Sequence, residues 1–223
     1  YLGDTLEKIA ATKAGIIKEG CDVICYEQEP EVTEVIRARA EQVHAGFHLS
    51  RFDRVSGVGR SLSGQTFIRK TEGEPAGQAS PYKLSLPGSH QLHNAAVVLD
   101  VVDVLRARGA SVSEEAVREG LEKTVWPARF EVLRSWPPFI LDGAHNPQCA
   151  QALCCSLPAI LKGRKAVFLC GTLKDKDYRS AMKLMIPFAR EFICVTPASY
   201  RALPAPELSD YLTSLGVTSR PAS

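Results

Sequence analysis

At 223 residues, with 45% hydrophobic and 23% charged side chains, the chain has enough interior for one large or two small domains and the composition of an ordinary globular protein. A net charge of +2 argues against a nucleic-acid or membrane surface, and no apolar run approaches the ~20 residues of a membrane span. Tyr1 is not a start residue and no signal-peptide pattern follows it, so the sequence reads as a piece of a longer one; its seven cysteines, an odd number with Cys25, Cys170 and Cys194 in apolar runs, suit reduced cytoplasmic thiols better than a disulfide framework.

Along the chain, Asp4-Thr5-Leu6-Glu7 fits a capping box with Asp4 as N-cap. Leu6, Ile9, Ala10, Ala14 and Ile17 follow at helical spacing. Lys13 falls late on this helix, where a lysine is ordinarily a solvated charge suited to the carboxyl end. Residues 23–25 predict a strand, 30–43 a helix with Pro30 near its start, and 46–49 another strand. The polar stretch 56–80 predicts one or two exposed antiparallel strands and a loose loop over 71–80. Residues 82–86 alternate as a half-buried strand.

A helix then places Ala95, Val98, Leu99, Val102 and Leu105 inward and Asn94 in its first turns; it ends near Gly109. Ser113 predicts the N-cap of a second helix, with Ala116 at its third position. His90 and His93, like His44 and His48, have no further ligand cluster, which argues against zinc.

Pro127 ends the helical pattern, and a domain boundary is expected there, giving domains of 1–128 and 129–223. Beyond it strands at 139–141, 166–170 and 192–195 alternate with helices at 147–157, 178–188 and 205–215. That order predicts an α/β domain with a parallel sheet and right-handed crossovers. Asn146 as N-cap and Pro147 at the first helical position place Asp142 and His145 in the turn between a strand end and a helix start. Ligands of parallel sheets bind there, and a helix start offers unpaired N–H groups to an anion. A second polar loop, Gly171-Thr172-Leu173-Lys174-Asp175-Lys176-Asp177, follows the next strand. The sequence contains no G-x-x-x-x-G-K-[ST], no G-x-G-x-x-G, no G-x-S-x-G and no internal repeat.

Several blocks together resemble the folylpolyglutamate synthases and the related dihydrofolate synthases of the Mur ligase superfamily. They are Leu2-Gly3-Asp4-Thr5-Leu6-Glu7-Lys8-Ile9-Ala10 with Lys13-Ala14-Gly15-Ile16-Ile17-Lys18, then His90-Gln91 with Asn94-Ala95-Ala96. Arg129-Phe130-Glu131, Asp142-Gly143-Ala144-His145-Asn146-Pro147 and the 171–177 loop complete the set, in the family's order and over nearly the whole chain. The resemblance implies a partial Mur-ligase ATPase domain over 1–128, followed by a Rossmann-like α/β glutamate ligase domain, truncated, over 129–223. It implies an ATP- and Mg2+-dependent amide ligase acting on folate or dihydropteroate and L-glutamate through an acyl phosphate, monomeric and cytoplasmic.

The resemblance also carries roles. A lysine matching Lys13 is carbamylated in the family and becomes an oxygen ligand for magnesium. Positions matching Asn94, Arg129 and Asp142 contact ATP, and His145 matches a residue near the incoming glutamate. Lys13 and Asn94 are expected on one wall of an interlobe cleft, Asp142 and His145 on the other. The family usually has glycine where this chain has Ala128. Its phosphate loop and other magnesium ligands lie in the part preceding Tyr1, so the 223 residues alone are expected to be inactive. Other readings left open by the residues are a ligase adding amino acids to a peptidoglycan precursor, and a non-catalytic nucleotide-binding module. A metal hydrolase using His90, His93 and His145 lacks a ligand cluster.

Overall fold

The computed structural model describes residues 3–70 and 80–222; Leu2 and residues 71–79 of the expected loop lie outside the described residues. The chain divides into two compact units, one of residues 1–85 and 90–125, the other of 86–89 and 126–223. No helix among the described residues is long and apolar enough to cross a membrane. All seven thiols are free.

The first unit opens with α1 (Leu6–Ala14), β1 (Asp22–Cys25), α2 (Pro30–Gln42) and β2 (Gly46–Leu49). The cap of α1 is Thr5 rather than Asp4. Thr5 takes the extended conformation and its hydroxyl accepts the Lys8 N–H at 3.3 Å, while the Asp4 carboxylate accepts from Lys8 Nζ at 2.7 Å. The strands β1 and β2 pair in parallel from Asp22–Gly46 to Cys25–Leu49, with α2 as the crossover. Ala14, Ile17 and Ala40 are buried together, with Val23, Ile36 and Phe47 packed against them.

An antiparallel sheet follows, β3 (Val55–Ser61), β4 (Gly64–Arg69) and β5 (Tyr82–Leu84), with β4 central. The expected hairpin forms, but β4 is not exposed: Phe67 is fully buried and stacks on its register partner Tyr82 at 5.3 Å. Two helices complete the unit, α3 (Ser89–Ala107) and α4 (Glu114–Lys123). Ser113 caps α4 as its residue type predicts, accepting the Ala116 N–H at 3.1 Å. The buried stripe of α3 is Leu92, Ala95, Ala96 and Leu99, an i, i+3, i+4, i+7 set. It is rotated from the expected one, and Val98 and Leu105 stand exposed at 47% and 44%. Arg69 on β4 pairs with Asp100 and with Asp103 (2.7 Å) on α3, and the buried Ser50 hydroxyl donates to Asp100 Oδ2 at 2.6 Å. That polar knot ties both sheets of the unit to one helix.

The second unit begins with a hairpin, β6 (Glu131–Ser135) and β7 (Pro138–Leu141). It continues through α5 (Pro147–Leu161), β8 (Ala166–Cys170), α6 (Tyr178–Met185), β9 (Ala189–Cys194), α7 (Ala205–Ser214) and β10 (Ser219–Pro221). The parallel sheet is β8-β9-β10. The expected strand at 139–141 exists but pairs antiparallel with β6, so it is a hairpin arm rather than the first member of the parallel series. The core gathers Phe130, Leu153 and Leu157, Met182, Phe192, Leu208 and Leu212. On α6 the buried Tyr178, Ala181, Met182 and Met185 form one apolar face, which explains why so short a helix is held.

Candidate active site

The most organised of the singled-out groups lie in the second unit, around the turn from β7 to α5. Glu131 pairs with Leu141 at the open end of the hairpin, so the segment entering β6 runs beside the segment leaving β7. Two bonds sew them together, and a third folds the second segment on itself. The Phe130 N–H donates to Asp142 Oδ2 at 2.8 Å, the Gly143 N–H donates to the Ala128 carbonyl at 2.9 Å, and the Ala144 N–H donates to Asp142 Oδ1 at 2.8 Å. Asp142 thus accepts one backbone bond on each oxygen and keeps a lone pair on each for a further donor.

Arg129 sits between two residues of left-handed backbone, Ala128 at φ +55° and Phe130 at φ +52°. Phe130 is fully buried in the core, which anchors the segment, while Arg129 stays exposed. Its Nη1 donates to the Ala128 carbonyl at 3.2 Å. A Cβ at Gly143 would stand 2.7 Å from that nitrogen, so glycine makes room for the guanidinium to lie against the turn. His145 is exposed, with Nδ1 3.1 Å from the Gly143 carbonyl. A carbonyl only accepts, which places the proton on Nδ1 and leaves Nε2 free for a ligand.

The start of α5 is capped by its own chain. Asn146 Oδ1 accepts the Cys149 N–H at 2.8 Å and Pro147 carries no N–H. Fewer donors face outward than an uncapped helix start would leave, so the helix terminus by itself offers little to an anion.

The second polar loop is also tied down. A Cβ at Gly171 would meet the Val195 carbonyl at 2.8 Å, and the Leu203 N–H donates to the Thr172 carbonyl at 2.9 Å. Asp175 pairs with Arg201 at 3.1 Å. Asp177 caps α6 through the Ser180 N–H, and hydrogen bonding from the Ser180 hydroxyl, then from that N–H, holds its carboxyl below the usual range. The loop's acids are therefore committed to structure, and Lys174 remains exposed. Just before it, burial pushes the Cys170 thiol up to about 12, so it is not a nucleophile at neutral pH.

Of the other expected residues, Lys13 is exposed in the last turn of α1. Asn94 is exposed on α3, its Nδ2 donating to the buried Gln91 Oε1 at 2.9 Å. The structure brings Arg129, Asp142 and His145 together within one unit; Lys13 and Asn94 occupy two helices of the other. His93 packs face to face on Phe52 with ring centres 4.2 Å apart, and His48 Nε2 bonds Asp22 at 3.1 Å. Among the described residues no three His, Cys, Asp or Glu side chains gather to hold a metal ion. The chain's own donors therefore do not fit a complete magnesium site. A groove of about 470 Å³ in the first unit, bounded by Arg60, Thr66, Lys83, Ser85 and Glu122, contains none of the five candidate residues.

Glu131, quoted in the sequence only as part of the Arg129-Phe130-Glu131 block and given no role there, accepts the Ala128 N–H on Oε2 at 2.8 Å. The available signal was an acidic residue two places after an arginine at a strand start.

Residues 128–221 match the model of the family described as Mur ligase, glutamate ligase domain. The chain is 35% identical over 193 residues to a dihydrofolate synthase/folylpolyglutamate synthase of Bacillus subtilis, covering 82% of this chain and 42% of that protein. It superposes on Mycobacterium tuberculosis folylpolyglutamate synthase complexed with ADP with a TM-score of 0.80 at 28% identity, over 100% of this chain and 50% of that one. A bifunctional folylpolyglutamate synthase/dihydrofolate synthase with Mn, AMPPNP and L-glutamate bound superposes with a TM-score of 0.73 at 26% identity, again over 100% of this chain and 50% of the other. The chain spans about half the length of the relatives it matches.

Proposed function

We propose that this chain is part of a protein of the folylpolyglutamate synthase type in the Mur ligase family, which it resembles, and that at native full length it is an ATP-dependent ligase joining L-glutamate to a folate. The observation that carries this reading is the cluster of Arg129, Asp142 and His145 on the β7–α5 turn, within the stretch that matches the glutamate ligase domain. A relative binds ADP, and another binds AMPPNP, Mn and L-glutamate, which supports ATP with a divalent ion, and glutamate, as ligands. Residues 1–128 act as the carboxyl-terminal part of the ATP-binding domain and 129–223 as the ligase domain of a monomeric, cytoplasmic enzyme.

In the proposed reaction a folate (or dihydropteroate) carboxylate oxygen attacks the γ-phosphorus of ATP and ADP leaves; the neutral glutamate amine then attacks the acyl carbon, phosphate departs and the proton lost by the amine passes to solvent. Arg129, a planar fork of donors, binds phosphate oxygens. The remaining lone pairs of Asp142 accept ribose hydroxyls, and the Asn94 amide pairs with the mixed donor and acceptor edge of adenine. His145 Nε2 accepts a hydrogen bond from the glutamate amine, orienting it for attack. A divalent ion, when bound, supplies neutralisation of phosphate charge; Lys13, as a carbamate, would be a ligand to it.

The test is ADP release by the full-length protein with ATP, folate and L-glutamate, with product mass raised by one glutamate. Lys13→Ala and His145→Ala should each lower kcat about a hundredfold. Turnover only with a peptidoglycan precursor would move the assignment to another Mur ligase. Unchanged function in both variants would leave a nucleotide-binding module.

A further inference from the structure

The turn that presents Arg129 is an unusual one. The two residues flanking Arg129, Ala128 and Phe130, carry side chains at positive φ, a region that a Cβ disfavours. Such a conformation persists only where neighbouring bonds over-determine it. Phe130 is held on two sides, by its buried ring and by the bond from its N–H to Asp142. Ala128 has no ring to anchor it. Its carbonyl accepts from the Gly143 N–H, and its own N–H donates to Glu131 Oε2 at 2.8 Å. Glu131 is fixed in turn, because it opens β6 opposite Leu141.

We propose that Glu131 is a positioning residue for Arg129: by accepting the Ala128 N–H it holds the left-handed turn that lays the Arg129 guanidinium against Gly143. The carboxylate acts on the backbone of the turn. It acts by keeping Ala128 from relaxing to negative φ, a rotation that would swing the next side chain away from the β7–α5 turn. A bond to a charged acceptor is among the stronger ones available to a backbone N–H, comparable to the strain it opposes. The inference rests on the reading of Arg129 as the nucleotide-binding arginine for its consequence, but the turn geometry is independent of that reading.

The experiment uses the full-length protein with Glu131→Ala, Glu131→Gln, Arg129→Ala and the double variant Arg129→Ala with Glu131→Ala. Affinity for ADP is measured calorimetrically, and trypsin cleavage after Arg129 is measured without nucleotide. E131A should weaken ADP about tenfold, and E131Q, whose amide oxygen accepts the same bond, should stay within about twofold. In the Arg129→Ala background E131A should weaken ADP no further. Cleavage after Arg129 should accelerate in E131A. Should E131A not fold, Glu131→Met, which keeps the volume and removes the acceptor, carries the same expectations. Additive losses, E131Q as weak as E131A, or unchanged affinity and cleavage in E131A would each overturn the assignment. If the unaltered protein binds no ADP, the nucleotide reading of Arg129 fails by itself, and the cleavage rates still decide whether Glu131 holds the turn.

Discussion

Ala128 holds a φ of +55° with a methyl group that the left-handed region penalises by about 1–2 kcal/mol. Glycine carries no such penalty but gives the unfolded chain more freedom, which costs about 0.4–1 kcal/mol. The bonds to Glu131 and Gly143 use only the backbone of residue 128 and survive the change. Ala128→Gly should therefore stabilise the second unit by up to about 1 kcal/mol, read as a higher denaturation midpoint at unchanged slope. Ala128→Val should destabilise it, because a β-branched side chain tolerates positive φ worst; a midpoint that falls for glycine as well would mean that the alanine methyl packs usefully. The resemblance already marks this position as one where glycine is usual, so the oddity was visible in the sequence. Its cause was not, since alanine by itself signals no turn. Nothing in the sequence marks Phe130 at φ +52° either: its backbone is set by burial of the ring.

At the scale of elements, α3 shows both what pattern reveals and what it hides. The helix and its start near the Asn94 block follow from spacing, but which face is inward depends on what packs there. That is why Leu92 and Ala96 are buried while Val98 and Leu105 are not. The hairpin arm β6 gives no alternation to read, because a register shift between Val132 and Arg134 interrupts it and most of its side chains are exposed. Caps were legible at Ser113 and Asn146, whose hydroxyl and amide find the expected N–H groups; at α1 the pattern pointed to Asp4, and the extended backbone at Thr5 puts the cap one residue later.

The helix α3 also carries a pH dependence. His93 lies between Phe52 and the Tyr26 hydroxyl, 3.3 Å from Nδ1. Burial lowers its pKa from 6.5, with the Glu27 carboxylate opposing the shift. The folded state then binds fewer protons than the unfolded one between the two values, so stability rises with pH in that window. Acidification through pH 6.5 should destabilise the protein, and more than it destabilises His93→Phe, which keeps the stack but cannot titrate. Thermal midpoints from pH 7.5 to 5.5, above the carboxylate range, check this; equal slopes for both proteins would show that His93 charges without penalty.

Across the whole molecule, the functional groups divide unevenly between what the chain builds and what it leaves open. The second unit assembles its part from residues within one stretch, 128–145, because the β6–β7 pairing closes that stretch on itself. Local sequence could therefore point to it, even though the strand was expected in a parallel sheet. The metal is different in kind. Holding a divalent ion takes several oxygen ligands converging on one point, and among the described residues no such group of acids and histidines exists. Nor does the sequence contain a glycine-rich loop ending in lysine to cradle phosphates. Exposed Arg129 and Lys13 can contribute to a phosphate or metal site but cannot make one. The 223 residues alone should accordingly release no ADP from ATP when supplied with folate, glutamate and magnesium, under conditions where the full-length protein does. The comparison is a coupled ADP assay at matched concentration. Turnover by the isolated chain would mean that these residues assemble a metal and phosphate site by themselves, and the division of labour argued from the donor set would be wrong.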